Sequence, residues 1–319
     1  MKAIVCTKYG PPEVLQLQDR EKPMPRDHEV LIRVHSATVT AGDCGLRSLA
    51  FPLPVQLFIR IVFGFRRPRK KILGQELSGE IEAIGKAVTR FKQGDQVFAW
   101  AGLGAYAEYA CLPENGALVI KPSNTTYEET ATLAVCGLDV AYLLRRGKIQ
   151  SGQKVLINGA GGSMGTFAVQ LAKCLGAEVT AVDSTEKLDM LRAIGADQVI
   201  DYTQEDFSKN GQTYDVIFDV TGAKTFLQGG RSLKENGRYL LANPRLSQQI
   251  LGRRNGKQVI AWKARSTSEY TEDFNFIKAF LEAGKIRPVI DRRYPLEQIA
   301  EAHRYAESGQ KKGNIVITV

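Results

Sequence analysis

Apolar and polar positions change their pattern near residue 122. Before it, short runs alternate in polarity or carry β-branched residues, with proline and glycine between them, and this predicts an all-β region of Greek-key-like barrel type. The predicted strands are 3–6, 14–17, 29–36, 77–84 and 96–99. An apolar run over 49–65, broken by Pro52 and Pro54, interrupts them.

From about Ser123, apolar strands alternate with helical periodicities, which predicts a doubly wound parallel sheet. A helix is predicted over 127–146, with a break near 136–137. The further predicted helices are 185–194, 225–233, 269–283 and 296–307. The further predicted strands are 198–202, 214–220, 238–242, 258–262, 289–294 and 314–319. We therefore expect an α/β chain with one domain of residues 1–122 and 288–319 and another of residues 123–287.

The stretch from Lys154 to Asp183 carries the strongest local signal. A buried-strand run is followed by a glycine-rich turn, a helical pattern and a second strand that ends at Asp183. This order is typical of a dinucleotide-binding βαβ unit, in which glycines admit the pyrophosphate and helix N–H groups face its charge. The predicted cofactor contacts in the turn are Gly159, Ala160, Gly162, Ser163, Met164 and Gly165.

Composition restricts the cellular setting. Five scattered cysteines without a CxxC pair suit reduced thiols and exclude a zinc ribbon. The first residues contain no long apolar run, and no stretch of the chain reaches the length of a transmembrane helix. We therefore expect a cytoplasmic protein with no transmembrane segment.

The net charge of +9 is uneven, with clusters over 60–71 and at Arg253-Arg254. Aromatic and basic residues do not interleave as in an RNA-binding platform, so no nucleic-acid partner is expected. A solvated basic loop that attracts phosphate-bearing cofactors is favoured instead. For the apolar run over 49–65 three interpretations compete: a helical flap over a hydrophobic substrate cleft, which is favoured, a packed surface helix, and a membrane-surface anchor.

Eight segments together carry a family signature. They are 9–15, 43–47, 73–79, 94–97, 104–109, 157–173, 195–207 and 311–317. On these segments the whole chain resembles the zinc-independent quinone oxidoreductase branch of the medium-chain dehydrogenase/reductases. The resemblance implies a GroES-like β-barrel catalytic domain and a Rossmann cofactor domain. It also implies hydride transfer from a nicotinamide to a small-molecule quinone or α,β-unsaturated carbonyl.

The resemblance also assigns roles to residues of the active site. Thr40, Gln75 and Cys136 occupy the positions of the catalytic zinc ligands in related alcohol dehydrogenases. A hydroxyl, an amide and one thiol make a poor zinc site, so no metal is expected. Thr40 and Gln75 are instead expected to donate hydrogen bonds to the substrate oxygen. Asp139, near the nicotinamide, is either a proton relay or a helix cap, and the structural role is favoured.

The chain departs from its relatives beside Thr40. The usual Asn-Pro is Thr40-Ala41, and a tyrosine found in several quinone reductases is replaced by Gly45. Asp43 and Arg47, four residues apart, are expected to form a fold-stabilising ion pair. The leading interpretation is an NADPH-dependent reductase, and these departures leave open one alternative, an NADP(H)-binding redox sensor or partner protein with little turnover.

The residues after the second strand of the βαβ unit address the choice of cofactor. Ser184 and Lys187 match the residues that hold the 2′-phosphate of NADPH in this branch, and Tyr202 is placed to lie against the adenosine. Asp183 stands where NAD enzymes bind the ribose hydroxyl. The basic net charge favours NADPH over NADH. The strand over 258–262 is a candidate for pairing with its twin in a homodimer.

Overall fold

The computed structural model describes residues 1–51, 53–222, 229–243, 258–263 and 265–319. Contacts divide the chain into a first unit of Met1–Val135 and Ile290–Val319 and a second unit of Cys136–Val289. The first boundary lies after Val135 rather than at 122, because the helix Tyr127–Ala131 packs on strands of the first unit. The basic pair Arg253-Arg254 and the loop around it lie outside the described residues.

The described strands, in chain order, are β1 Lys2–Cys6, β2 Leu15–Asp19, β3 Glu29–Thr38, β4 Glu76–Ile84, β5 Gln96–Trp100, β6 Tyr109–Pro113, β7 Leu118–Ile120, β8 Lys154–Asn158, β9 Glu178–Asp183, β10 Gln198–Asp201, β11 Tyr214–Asp219, β12 Leu233–Leu241, β13 Gln258–Ala261, β14 Ile290–Pro295 and β15 Asn314–Thr318. The described α-helices are α1 Ala41–Ser48, α2 Leu53–Phe63, α3 Tyr127–Ala131, α4 Leu138–Gly147, α5 Ser163–Cys174, α6 Leu188–Ala193, α7 Thr267–Glu282 and α8 Ile299–Glu307.

The first unit is built around the long strand β3. β4 pairs with one edge of β3, and β6 and β15 share its other edge, so the order β14-β15-β3-β4-β5-β7 has β6 beside it. β1 and β2 form a separate antiparallel pair. Alternate side chains of β3, including Val30, Ile32 and Val34, enter one apolar core with residues of β4, β5, α8 and β15. The carboxyl end of β3 is thereby held rigidly where the chain turns into α1.

The second unit contains a six-stranded parallel sheet in the order β10-β9-β8-β11-β12-β13. Numbered from β8, this is the order 3-2-1-4-5-6 of a Rossmann fold, and it confirms the predicted doubly wound sheet. Val155, Leu156 and Ile157 of β8 are fully buried, as expected of a parallel strand covered on both faces. The chain order reverses between β8 and β11, where such sheets bind their ligands.

Several predicted elements differ from the structure. The strands β6 and β7 and the helix α1 are present in addition to the predicted elements. The predicted helix over 225–233 lies partly outside the described residues, and its last residue, Leu233, instead begins β12 by pairing with Tyr214. The break predicted in the helix over 127–146 is confirmed as a π-helical turn, Leu133–Gly137, between α3 and α4. Among the described residues, no helix is both long and apolar enough to cross a membrane.

Candidate active site

The glycine-rich turn joins β8 to α5, and its three spaced glycines do different things. Gly159 has a φ of 80°, and a side chain there would meet Thr221 at 2.8 Å. A Cβ on Gly162 would meet nothing within 4 Å, so the start of α5 is open to a ligand. A Cβ on Gly165 would overlap the carbonyl oxygens of Gly159 and Ala160. The turn therefore has the close helix packing and the open N-terminus that a pyrophosphate requires.

Asp183, at the end of β9, is turned back into this turn. One carboxylate oxygen accepts from Gly161 N at 2.7 Å, and the other accepts from Ser184 N at 2.9 Å and lies 3.1 Å from Lys187 Nζ. Both charged side chains are almost wholly buried. The acid that would repel a 2′-phosphate is therefore compensated by the lysine expected to bind one. Tyr202 lies nearby in the chain fold, with its N–H on the Asp183 carbonyl and its side chain 61% exposed.

A second polar network lies at the reversal point of the sheet, and the sequence patterns did not reveal it. The buried carboxylate of Asp219, at the end of β11, accepts hydrogen bonds from Asn158 Nδ2 at 3.0 Å, Thr221 Oγ1 at 2.8 Å and Tyr239 Oη at 2.9 Å. Asn158 is the residue before Gly159, so this network fixes where the glycine turn leaves β8. The available signal was an acid directly after the apolar strand 214–218.

The predicted substrate-oxygen contacts Thr40 and Gln75 are brought together in the first unit around Asp43. Thr40 caps α1: its N–H and its hydroxyl donate to Asp43 at 2.9 and 2.6 Å. Gln75 Nε2 lies 3.4 Å from Asp43 Oδ1 and 3.5 Å from Thr40 Oγ1. Burial raises the pKa of Asp43, and the hydrogen bonds from Thr40 and Gln75 oppose that rise. The amide of Gln75 is partly exposed, whereas the Thr40 hydroxyl is engaged by Asp43.

Glu76, the first residue of β4, has different contacts from those of Gln75. Its buried carboxylate accepts from Thr38 Oγ1 and, at 2.6 Å, from Val135 N in the π-helical turn. A hydrogen bond to a buried carboxylate holds this irregular backbone, which leads into Cys136 and α4. Glu76 is thus a positioning residue that the sequence patterns missed.

The expected ion pair between Asp43 and Arg47 is wrong. Asp43 is occupied by the start of α1, while the buried Arg47 pairs with Glu307 of α8 and donates to Gly10 O at 3.1 Å. The ion pair therefore connects α1 to α8, whereas the expected pair would have joined two residues of α1. At Gly45, where relatives carry tyrosine, a Cβ would meet the Phe51 ring at 2.7 Å. A ring from further along the chain fills that space.

Asp139, in the first turn of α4, belongs to a buried ion network. It pairs with Arg265, which also lies 2.8 Å from Asp273 Oδ2 and donates to the Leu138 carbonyl at 3.0 Å. The Arg265 guanidinium lies over the ring of Tyr270, 4.2 Å from its centroid. Burial raises the pKa of Asp139 to about 6, and Arg265 opposes the rise. The network fastens the start of α4 to α7.

Within the described residues, no group of three or more His, Cys, Asp or Glu side chains is arranged to hold a metal ion. Cys136 is buried in the π-helical turn. The histidines have other contacts: His28 is exposed beside Glu114, His35 stacks on Tyr127 with ring centroids 4.3 Å apart, and His303 is buried. Burial lowers the pKa of His303 to about 3, so this ring is neutral between Cys44 and Tyr106.

Comparison with known proteins agrees with this geometry. The family "Alcohol dehydrogenase GroES-like domain" matches residues 26–123, and the family "Zinc-binding dehydrogenase" matches residues 194–317. A quinone oxidoreductase of Pseudomonas aeruginosa is 31% identical, over 99% of both chains. An NADPH-dependent alkenal/one oxidoreductase of Arabidopsis thaliana is 29% identical, over 99% of this chain and 79% of its own length.

Solved structures give the same result. Escherichia coli quinone oxidoreductase, determined with NADPH, superposes with a TM-score of 0.86 at 25% identity and covers 100% of both chains. The match extends over both units, and the relatives named quinone oxidoreductase share the full length of the chain. The chain therefore belongs to the medium-chain dehydrogenase/reductases, in the zinc-independent quinone oxidoreductase branch.

Proposed function

We propose that this protein is a zinc-independent, NADPH-dependent reductase of quinones and α,β-unsaturated carbonyls. The observation that carries the proposal is the open N-terminus of α5 beside the reversal point of a 3-2-1-4-5-6 sheet. The relatives named as quinone and alkenal/one reductases supply the substrate class. A conjugated acceptor suits a site without a metal, because conjugation already makes the accepting carbon electrophilic.

The nucleotide would be held by the backbone of residues 159–165, with Ser184 and Lys187 toward its 2′-phosphate and Tyr202 beside the adenine. When bound, the reduced nicotinamide supplies a hydride. The arrangement of Asp183 supports NADPH, because Gly161, Ser184 and Lys187 already satisfy its carboxylate. An uncompensated acid at that point would favour the ribose hydroxyl of NADH.

Toward the acceptor, Gln75 is the proposed hydrogen-bond donor to the substrate oxygen. Its Nε2 lies 3.4 Å from Asp43 Oδ1 and 3.5 Å from Thr40 Oγ1, and these contacts are long enough for a substrate oxygen to take over one of its two hydrogens. A donor placed there would stabilise the charge that develops on an enolate or quinol oxygen. We assign Thr40 to orientation, since its own hydroxyl donates to Asp43. Asp139 is proposed in its structural role, through the ion network that anchors α4.

Two further proposals concern the setting of the protein. β13 is bonded to β12 alone among the described strands, and we propose that its other edge pairs with a second copy in a homodimer. Light scattering of the purified protein measures this directly. The five cysteines form no disulfide bonds, which supports a reducing compartment such as the cytoplasm.

The proposed function is tested by the turnover of chelator-treated protein with NADPH and 1,4-benzoquinone, 9,10-phenanthrenequinone or a simple enal. We expect NADPH oxidation with at least one acceptor, at a rate that chelation does not change. Tight NADPH binding without any acceptor-dependent oxidation would instead support the redox-sensor alternative. Activity that depends on added zinc would contradict the assigned branch.

Replacing Gln75 by leucine should lower kcat/KM for the acceptor about 10- to 100-fold, because one donor to the developing oxyanion is lost. The dissociation constant for NADPH should stay unchanged. Gln96→Leu, on an exposed position of β5 in the same unit, is the matched control and should retain activity. An equal loss of kcat/KM in both variants would show that Gln75 has no specific role in the reaction.

Replacing Lys187 by glutamine should raise the KM for NADPH about tenfold or more and leave that for NADH within about twofold. The variant removes a charge-assisted contact to the 2′-phosphate and also leaves Asp183 without its cation. Lys209→Gln, an exposed lysine of the same unit, is the control. Equal losses with both cofactors would show that Lys187 only supports the turn.

The ion network makes a prediction about stability and pH. Burial holds the pKa of Asp139 at about 6, above the ordinary value of 3.8, so the folded state binds this proton more tightly than the unfolded chain does. That contribution to stability is present below pH 4 and is lost as the pH rises through 6. The Asp139→Asn variant has no carboxyl at this position that could ionise. The unfolding free energy of the variant minus that of the wild type should therefore increase by about 2–3 kcal/mol as the pH rises from 4 to 6.5.

Urea unfolding at several pH values measures this difference. Asp189→Asn is the control, because its side chain is fully exposed beside Arg192. A constant difference between Asp139→Asn and wild type across this range would contradict the assignment of a buried proton-binding carboxyl.

A further inference from the structure

The helix α2 is amphipathic in the reverse sense to a surface helix of a globular domain. Successive residues advance about 100° around a helix, so the apolar residues at positions 53, 55, 57, 58, 61 and 62 share one broad face. That face is exposed to solvent, with exposed fractions from 42% to 79%. Its members are Leu53, Val55, Leu57, Phe58, Ile61 and Val62. An exposed apolar surface of this kind marks an interaction site.

The polar residues of α2 make contacts within their own segment instead of pointing to solvent. Gln56 Nε2 donates to the Phe51 carbonyl at 2.8 Å, and Arg60 Nη1 donates to the Phe65 carbonyl at 2.6 Å. Ile59 is the buried apolar residue of the helix. These hydrogen bonds tie α2 to the residues on either side of it, and its exposed apolar face lies outward.

The segment that follows α2 is strongly basic. Between Asp43 and Glu76 the chain has no acidic residue. The basic residues in that interval are Arg47, Arg60, Arg66, Arg67, Arg69, Lys70 and Lys71. The last five are exposed, and none of them forms an ion pair with a residue in the part of the chain that the structure describes. Their positive charge is therefore uncompensated on the protein itself.

The basic loop is held against the end of α2. Arg69 N donates to the Phe63 carbonyl at 2.6 Å, and Tyr9 Oη donates to the Gly64 carbonyl at 2.8 Å. Phe65, 65% exposed, stands at the junction of the apolar face and the cations. The loop encloses a shallow pocket of about 410 Å³, lined by Phe65 and by basic side chains, among them Arg66, Arg67 and Arg69. The apolar face and the exposed cations are thus adjacent, and hydrogen bonds connect the loop to the end of α2.

We infer that α2 and the basic loop 64–71 form a docking surface for a bilayer rich in anionic phospholipid. The apolar face would enter the acyl–headgroup boundary, and the basic loop would bind phosphate groups beside it. Eleven residues of helix extend about 16 Å, about half of a hydrocarbon core, so α2 would lie in the interface and not span it.

Charge decides against other occupants of this surface. A second copy packed along α2 would cover the apolar faces but bring no acidic residue from this segment to the cationic loops. A nucleic acid would satisfy the cations and leave six apolar side chains in water. A bilayer surface of negative charge satisfies both parts at once.

Vesicle co-sedimentation tests this inference on the full-length protein. Vesicles of phosphatidylcholine alone are compared with vesicles of phosphatidylcholine and phosphatidylglycerol at three to one. We expect binding to the anionic vesicles that is at least tenfold tighter and that weakens as salt rises from 0.1 to 0.5 M. Equal binding to both vesicle types, or none to either, would overturn the inference.

Two variants separate the contributions of charge and apolar contact. Arg66→Gln/Arg67→Gln/Arg69→Gln should weaken binding to anionic vesicles on the order of a hundredfold. Lys92→Gln/Lys209→Gln/Lys278→Gln removes the same charge from other exposed sites and should change it less than threefold. Equal weakening by both sets would show attraction by net charge alone and would contradict a localised surface.

Phe58→Ser/Ile61→Ser should weaken vesicle binding at least tenfold while the thermal unfolding midpoint stays the same or rises, because both side chains are exposed. Two results would contradict a membrane surface. One is a wild-type dimer that forms without lipid and that this variant dissociates into monomers. The other is unchanged vesicle binding with a raised KM for soluble quinone, which would make α2 the flap over the substrate.

Discussion

The cofactor half of this protein depends on one close approach between backbones. The first turn of α5 packs directly on the carbonyls of Gly159 and Ala160, and a methyl group on Gly165 would overlap them. Because no side chain intervenes, the helix starts close to the end of β8, and its first N–H groups lie at the reversal point of the sheet. The network around Asp219 fixes the same turn from the neighbouring strand.

Four buried carboxylates hold the backbone segments around the proposed site in place. Asp183, Asp219, Glu76 and Asp139 each accept hydrogen bonds from named partners, and each holds a segment next to the proposed cofactor or substrate contacts. A buried charge is tolerated only when it is satisfied in this way. Their common consequence is preorganisation: turn, π-helical segment and helix start are positioned before any ligand binds.

The surface around α2 obeys the opposite rule, since its apolar side chains and cations lack internal partners among the described residues. The sequence showed an apolar run beside a basic cluster and left three interpretations open. The structure shows the direction of the exposed face, because Ile59 is buried while the apolar side chains on the other side of α2 are exposed. The sequence also did not show that Arg47 pairs with Glu307 instead of Asp43, because Glu307 lies 260 residues away.

The sequence by itself determined what depends on near neighbours in the chain: most strands and helices of both halves, the glycine turn, the acid at the end of β9 and the eight short segments that together indicate the family. Each of these is a periodicity or a spacing within about thirty residues. The tertiary structure decided which groups meet. Asp183 accepts from Gly161 across 22 residues, Asp139 pairs with Arg265 across 126 residues, Arg47 pairs with Glu307 across 260 residues, and α2 turns its apolar face outward. Such choices depend on competition among all available partners in the folded chain, and local patterns carry no information about it.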